Sequence, residues 1–148
     1  MECIKKIAIS EPLVDIAPKE KIISSTNKFL DLDLYKVKVE DLNFAHNYEL
    51  QITKTDAVNA IVCWFDAHFT KLKNPITLST SPFSRSTHWR QTIFYMSEPI
   101  KAQAGKVLSG SIAVRKSAVN PRDLDIKISF HYNDEATKAS YKQMYKLR

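Results

Sequence analysis

The sequence predicts a single, mainly antiparallel β domain with little helix, folded as a β-barrel or a barrel-like sandwich. Apolar residues make up 44% of its 148 residues, a globular composition with enough chain for one core. Several short runs alternate apolar and polar residues, which is the period of a strand with one buried face. Turn residues separate these runs at the spacing found in sandwiches and barrels, and no run has the period of a long helix.

The first third of the chain predicts extended segments joined by short turns. Residues 7–16 form an extended run, in which Pro12 argues against a central strand because proline cannot donate to a sheet ladder. Residues 18–21 predict a turn or a single helical turn. Residues 30–34 and 37–39 alternate apolar and polar side chains, so both predict strands or extended chain.

The middle of the chain contains its most apolar runs. Residues 48–53 keep a strict period of two, which predicts a strand with one buried and one solvent-facing side. Residues 57–69 are apolar on both sides, which favours a central strand, although a buried helix has the same pattern. Residues 76–79 and 92–96 predict two further strands.

Two turns divide the second half of the chain. Gly105 marks the first turn, after which residues 107–114 predict a strand. Residues 120–123 predict the second turn, and residues 124–132 then alternate without a fault, as a half-buried strand does. The tail, residues 134–148, is polar and fits helix or coil. The whole pattern amounts to about eight strands.

The net charge of +6 is unevenly distributed along the chain. Residues 1–74 hold ten Lys and Arg against eleven Asp and Glu, whereas residues 75–148 hold twelve against five. Such asymmetry suggests nucleic acid as a partner. The basic residues are nevertheless scattered among strand-like segments, which favours a solvated face, and nucleic acid is not expected as a partner. These residues are Lys101, Lys106, Arg115, Lys116, Lys127, Lys138, Lys142 and Lys146.

Several kinds of site are excluded by composition. Gly105 and Gly110 are the only glycines, so neither a dinucleotide fingerprint nor a phosphate loop fits this chain. Cys3 and Cys63 cannot form a disulfide framework or a zinc motif, and Cys63 is predicted to be a buried, inert thiol. No membrane span or signal peptide is recognisable. We therefore expect a soluble, intracellular protein that binds no membrane, and we assign it to the cytoplasm and nucleus. No metal site is predicted, since a site built from His46, His68, His88 and His131 is possible but has no local support in the sequence.

One triplet, Thr87-His88-Trp89, brings together a hydroxyl, an imidazole and an indole where a loop becomes a strand. It lies between the turn-rich residues 79–86 and the apolar run 92–96. Loops on a rigid sheet commonly carry binding and catalytic groups. The ordinary alternative is a packed, hydrogen-bonded beginning of a strand.

The run 87–95, Thr-His-Trp-Arg-Gln-Thr-Ile-Phe-Tyr, resembles the hallmark of the C-terminal β-barrel (THW-loop) domain of type I protein arginine N-methyltransferases. The resemblance covers nearly the whole chain. It departs from the family just before the triplet, where Arg85 and Ser86 replace a usual Pro-Tyr pair and Phe83 replaces a frequent acidic residue. Further similar stretches lie at residues 10–15, 35–42, 64–66, 69–70, 120–125 and 145–148.

This resemblance implies an enzyme that transfers a methyl group from S-adenosylmethionine to arginine guanidinium groups of proteins. A Rossmann-like domain before this chain would bind the cofactor, residues 1–17 would be the remnant of a dimerisation arm and the leading strand, and residues 18–148 would form the substrate-side β-barrel. The fragment alone is expected to be inactive and to bind no cofactor. The implied partners are arginine-rich substrates, the N-terminal domain and a second copy in a homodimer.

The resemblance also implies roles for the triplet. His88 would be catalytic, hydrogen bonding to an acidic residue of the other domain as a clasp or a proton acceptor. Trp89 would bind substrate as a wall of the arginine pocket, and Thr87 would orient the loop. Two alternatives stay open: a free-standing basic β module that binds RNA or an acidic protein, and a structural barrel in which the triplet is packing. Residues 4–16 are expected to fold back onto the barrel or to pair with a second copy.

Overall fold

The computed structural model describes Ile7 and residues 9–148, and it confirms a mainly β fold. Two short 3-10 helices, Lys19–Lys21 and Val39–Leu42, lie in this part of the chain, and no helix within it is long and apolar enough to cross a membrane. The strands are β1 (Leu13–Asp15), β2 (Phe44–Gln51), β3 (Asp56–Cys63), β4 (Asp66–Phe69), β5 (Ile76–Ser79), β6 (Gln91–Ala102), β7 (Val107–Lys116), β8 (Leu124–Asn133) and β9 (Lys138–Leu147).

The strands form two larger sheets and one ribbon, and all of their pairings are antiparallel. The first sheet has the order β1-β6-β3, the second has the order β2-β7-β8-β9, and β4 pairs with β5. Inward side chains of both larger sheets share one core, so the described chain is a barrel-like sandwich. The core contains Tyr48, Ile52, Val58, Phe94, Met96, Ile100, Ala102, Leu108, Ile112, Ile126, Ile128, Phe130, Tyr132 and Tyr145.

Side chains of β9 join the two sheets where no strand ladder does. The Gln143 amide donates to the Tyr95 carbonyl oxygen over 3.0 Å and to the Ile9 carbonyl oxygen over 2.6 Å. It also accepts from the Ser97 N–H over 2.9 Å. The Tyr145 hydroxyl donates to the same Tyr95 oxygen over 2.9 Å. These bonds satisfy part-buried backbone groups of Ile9 and of β6.

The tail was predicted as helix or coil, and that prediction is wrong. It forms β9, which pairs with β8 from Asn133↔Lys138 to Leu124↔Leu147. The polar Gln143 stands at an inward position and the apolar Met144 at an outward one, so the apolar period of two is broken. Gln143 is buried because its amide bonds the backbone of β6, which sequence pattern does not reveal. The described chain thus has nine strands instead of about eight.

Residues 57–69 do not form one central strand. The run divides into β3 and β4, and β3 lies at the outer end of the order β1-β6-β3. The apolar side chains of its second half are not core residues, since Phe65 and Phe69 are 47% and 52% exposed. The run 57–69 is apolar on both sides because it contains a strand that packs on the core, β3, followed by exposed aromatic side chains.

Residues 30–34 and 37–39 contain no strand in the described structure. Here aspartate side chains hold the backbone in local turns, which compete with strand pairing. The Tyr35 N–H donates to Asp33 Oδ1 over 3.0 Å, and the Lys38 N–H donates to Asp41 Oδ2 over 2.9 Å. The apolar residues between them, such as the 84% exposed Leu34, have no sheet to cover.

Residues 9–15 fold back onto their own domain, one of the two alternatives expected for residues 4–16. β1 pairs with β6 at the outer edge of its sheet, which agrees with the argument from Pro12. The Lys146 N–H donates to the Ser10 carbonyl oxygen over 2.8 Å, so the segment also contacts β9. Residues 1–6 and 8 lie outside the described residues, and the domain boundary after residue 17 stays a prediction.

Candidate functional site

The site loop, residues 80–91, is closed at its base by two buried side chains. Gln91, at the beginning of β6, is 4% exposed, and Thr80 is 1% exposed. The Gln91 amide donates to the Thr80 carbonyl oxygen over 2.7 Å and accepts from the Ala17 N–H over 2.8 Å. Three separate segments of chain are therefore fixed at one point, and the loop between them is a compact surface loop with joined ends.

Thr80 also aligns the beginning of the β4 segment with the site loop. Its N–H donates to the Phe65 carbonyl oxygen over 3.0 Å, and its hydroxyl accepts from the Phe65 N–H over 3.1 Å. The same hydroxyl donates to the Phe65 carbonyl oxygen over 2.9 Å. These three hydrogen bonds fix the backbone of Phe65, whose ring lies beside Trp89.

A tight turn presents the triplet to solvent. The Arg90 N–H donates to the Thr87 carbonyl oxygen over 3.2 Å, and Arg90 has a φ of 55°, the left-handed region that non-glycine residues seldom adopt. Arg90 Nη1 lies 3.2 Å from Asp15 Oδ1, and both side chains are about half exposed. This ion pair ties the turn to β1, although an exposed pair contributes little to stability.

His88 and Trp89 form the outer part of an aromatic surface. Their ring centroids are 4.0 Å apart, and Phe65 meets Trp89 edge-on at 6.1 Å. Phe83 lies against Trp64 at 6.4 Å. That pair has no ring contact with the other three residues, so we call His88, Trp89 and Phe65 the aromatic surface. Trp89 and Phe65 are about half exposed, and exposed rings in contact with one another often mark binding surfaces.

The three predicted site residues share this turn but differ in their surroundings. His88 is exposed, and its ring nitrogens have no hydrogen bond to any described residue, so both are available to a partner. Trp89 is 48% exposed, so part of its ring is available for contact with a guanidinium. The Thr87 hydroxyl oxygen is buried without a hydrogen-bond partner among the described residues, while its carbonyl holds the turn. The structure therefore places the three residues on one turn, and their roles stay predictions.

The residues that hold the site were not found from the sequence. Thr80 and Gln91 flank predicted strands, where a polar residue is normally taken as solvent-facing, and Phe65 was placed within a strand. The one available signal was that a polar residue stands at each end of a loop that carries a candidate site. That signal could not be interpreted from the sequence, because the two residues act through contacts between segments distant in sequence.

Other kinds of chemistry find no support in residues 9–148. No group of three or more His, Cys, Asp and Glu side chains that could hold a metal occurs among them. Cys63 is half-buried rather than fully buried as predicted, and desolvation raises the pKa of its thiol to about 12, which disfavours the reactive thiolate. His68 and His131 bond Thr77 and Ser140 on neighbouring strands, so each has a local structural partner.

Comparison with known proteins gives a consistent result. The family model for the arginine methyltransferase oligomerization subdomain matches residues 1–135. Protein arginine N-methyltransferase 1 of Chlamydomonas reinhardtii is 40% identical over 148 residues, which are 100% of this chain and 43% of the relative. Protein arginine N-methyltransferase 8-B of Danio rerio is 37% identical over the same length, which is 35% of that protein. The chain thus spans less than half the length of these relatives.

Two solved structures share the fold. A chain of the Trypanosoma brucei PRMT1 enzyme-prozyme heterotetrameric complex with AdoHcy matches with a TM-score of 0.93 and 30% identity, over 97% of this chain and 45% of that chain. Arabidopsis thaliana protein arginine methyltransferase 10 matches with a TM-score of 0.87, over 98% of this chain and 44% of that chain. At 22% identity, the second likeness shows the fold alone.

Proposed function

Because the chain belongs to the protein arginine methyltransferase family, we propose that it forms the substrate-side β-barrel of a protein arginine N-methyltransferase. Such an enzyme transfers a methyl group from S-adenosylmethionine to arginine guanidinium groups of proteins. The observation that carries this proposal is the exposed His88-Trp89 pair, presented by a loop whose base is fixed through Gln91. A rigid base beneath two open rings suits a site that must align a flat substrate group.

The residues of this chain do not fit the cofactor itself. A dinucleotide-type cofactor loop needs several glycines at a strand-to-helix turn, and this chain has two. Gly105 lies in the turn between β6 and β7, with a φ of 86°. Gly110 lies within β7, where a side chain would collide with Tyr48 and the backbone of Ser129. We therefore place S-adenosylmethionine, which would supply the methyl group, on a domain outside these 148 residues.

Trp89 would receive the substrate arginine. It is 48% exposed and contacts Phe65 at a steep interplanar angle, so the exposed part of its ring could contact a guanidinium. Stacking restricts the guanidinium to a plane, which is the alignment that methyl transfer requires. Thr87 would act by holding the turn that orients Trp89.

His88 would meet an acidic residue of the cofactor domain. Its ring packs on Trp89 at 4.0 Å, which orients the imidazole while its nitrogens stay free of described partners. A hydrogen bond from His88 to a carboxylate would join the two domains across the substrate site, and the same carboxylate could take a proton through the ring. Closure of that domain over the aromatic surface would also exclude water.

Assembly and location complete the proposal. The matched family model describes an oligomerization subdomain, so this region belongs to the part of the family that mediates assembly. We place a homodimer contact in the arm that includes residues 1–17, and arginine-rich proteins as substrates. Location in the cytoplasm and nucleus stays a prediction.

A chimera tests this function directly. The part of the Chlamydomonas reinhardtii relative that precedes its matched region would be joined to this chain, and methyl transfer to an arginine-rich peptide would be measured. We expect transfer by the chimera and none by the 148-residue chain alone. A folded chimera that binds S-adenosylmethionine but leaves the peptide unmethylated would contradict the proposal.

A further inference from the structure

The outer side of β9 carries a row of lysines. Lys138, Lys142 and Lys146 are all exposed and are four residues apart, so they share one side of the strand. At a rise of about 3.4 Å per residue, neighbouring lysines of the row are roughly 13–14 Å apart. The opposite side of β9 bears the buried Gln143 and Tyr145, so the lysines face away from the core.

Strand β8 adds a fourth lysine to this row. Lys127 is directly opposite Met144 and is therefore diagonal to Lys142 and Lys146. Diagonal neighbours on one side of an antiparallel pair are about 7–8 Å apart, residue to residue. We call these four lysines the lysine face. The sequence prediction that basic residues are scattered is wrong here, because strand register brings them to one side of one sheet.

No acidic residue within the described chain neutralises the lysine face. None of its four members forms an ion pair with a described carboxylate. The nearest cross-strand acid is Asp125, opposite Lys146, and its carboxylate lies 3.4 Å from the guanidinium of Arg115. The four lysines therefore give this side of the sheet a positive potential that attracts an anionic partner.

We propose that the lysine face docks an extended acidic segment of another protein. Such a segment has carboxylates on one side at every second residue, a repeat of about 6.6–6.8 Å, so every second carboxylate coincides with a lysine of β9. The proposal is independent of methyl transfer, since the lysine face and the site loop lie on different sheets.

The composition of this face favours an acidic peptide over nucleic acid. Single-stranded nucleic acids bind where bases stack on aromatic rings, and sequence readers use arginine forks. The outward residues of β8 and β9 contain no Phe, Tyr or Trp, and Arg115 on neighbouring β7 is engaged by Asp125. The outward residues are Asp125, Lys127, Ser129, His131, Asn133, Lys138, Ser140, Lys142, Met144 and Lys146.

The test uses the 148-residue chain and a fluorescent peptide of about twelve residues that alternates Glu and Thr. Anisotropy should show saturable binding that weakens about tenfold in a K127Q/K142Q/K146Q variant. The matched control, K19Q/K21Q/K54Q, removes the same number of exposed charges elsewhere and should bind within about twofold of the parent. Unchanged melting temperatures would show that all three proteins are folded.

Three results would overturn the proposal. The first is no binding by the parent chain, and the second is equal weakening in both triple variants, since net charge alone would then explain the attraction. The third is tighter binding of an oligouridine with the same number of charges, lost in the K127Q/K142Q/K146Q variant. That result would assign the lysine face to nucleic acid.

Discussion

The Gln91 side chain donates a 2.7 Å hydrogen bond to the carbonyl oxygen of Thr80, and both residues are almost completely buried. The two residues are the ends of the loop that carries His88 and Trp89. One amide thus fixes the distance across the base of the site loop, while its oxygen holds the Ala17 N–H. The position of the two exposed rings depends on this buried contact.

Replacement of Gln91 by alanine should destabilise the chain by about 2–4 kcal/mol, because a buried N–H and a buried carbonyl both lose their partner. Urea unfolding of the 148-residue chain would measure the loss. Gln103→Ala is the control, since the Gln103 side chain is exposed and should change stability by less than about 0.5 kcal/mol. Equal effects of the two substitutions would contradict the role given to Gln91.

Asp134 should contribute a pH-dependent part of the stability. The Tyr132 hydroxyl donates to Asp134 Oδ2 over 2.6 Å, and this bond, with those from the Thr137 and Ala136 N–H groups, holds the pKa of Asp134 below its ordinary value of 3.8. A carboxyl with a depressed folded pKa stabilises above its unfolded pKa, and this contribution is lost as pH falls through the folded value.

Asp134→Asn should therefore flatten the decline of the unfolding free energy below a pH of about 4. Tyr132→Phe keeps the carboxyl but removes its main donor, and it should reduce the same decline. Unfolding free energies measured between neutral and acid pH would show this. If the unfolding free energy falls at acid pH in both variants as it does in the parent chain, Asp134 does not contribute to the pH dependence of stability.

The Cys63 thiol should resist modification in the folded chain. Burial raises its pKa to about 12, so almost no thiolate forms at a pH of about 8. In a Cys3→Ser variant, a thiol reagent should react with Cys63 at least about tenfold faster in denaturant than in buffer. Comparable rates in the two conditions would show that the thiol is accessible.

Trp89→Ala should weaken substrate engagement in the chimera. Loss of the stacking surface should raise the KM for an arginine-rich peptide about 3- to 30-fold, which corresponds to roughly 0.5–2 kcal/mol. Trp89→Phe retains a ring and should recover part of this loss. An unchanged KM in Trp89→Ala would show that the substrate contacts another surface.

The sequence predicted best the strands whose side chains alternate regularly between apolar and polar. β8 alternates along its length because one side faces the core and the other faces solvent, so residues 124–132 were recognised as a strand. β9 was missed because Gln143 is buried through a hydrogen bond to a distant strand. Local pattern contains no information about such a partner.

The same limit applies to the sites. The triplet was singled out by its residue types at the end of a loop, and family resemblance supplied its roles. Gln91 and Thr80 could not be assigned, because their roles follow from a contact between the two ends of the loop. The lysine face was missed for a related reason. Lys127 and Lys142 become neighbours only through the register of β8 and β9, which the sequence does not state.

The turnover of a His88→Ala chimera tests the role proposed for His88. We predict a fall in kcat of at least about tenfold, because the proposed contact between His88 and an acidic residue of the cofactor domain, as a clasp or a proton acceptor, would be lost. The melting temperature should change little, since His88 is exposed, and His46→Ala, another exposed histidine, should retain full activity. Full turnover in the His88→Ala chimera would contradict the account and leave the triplet a structural role.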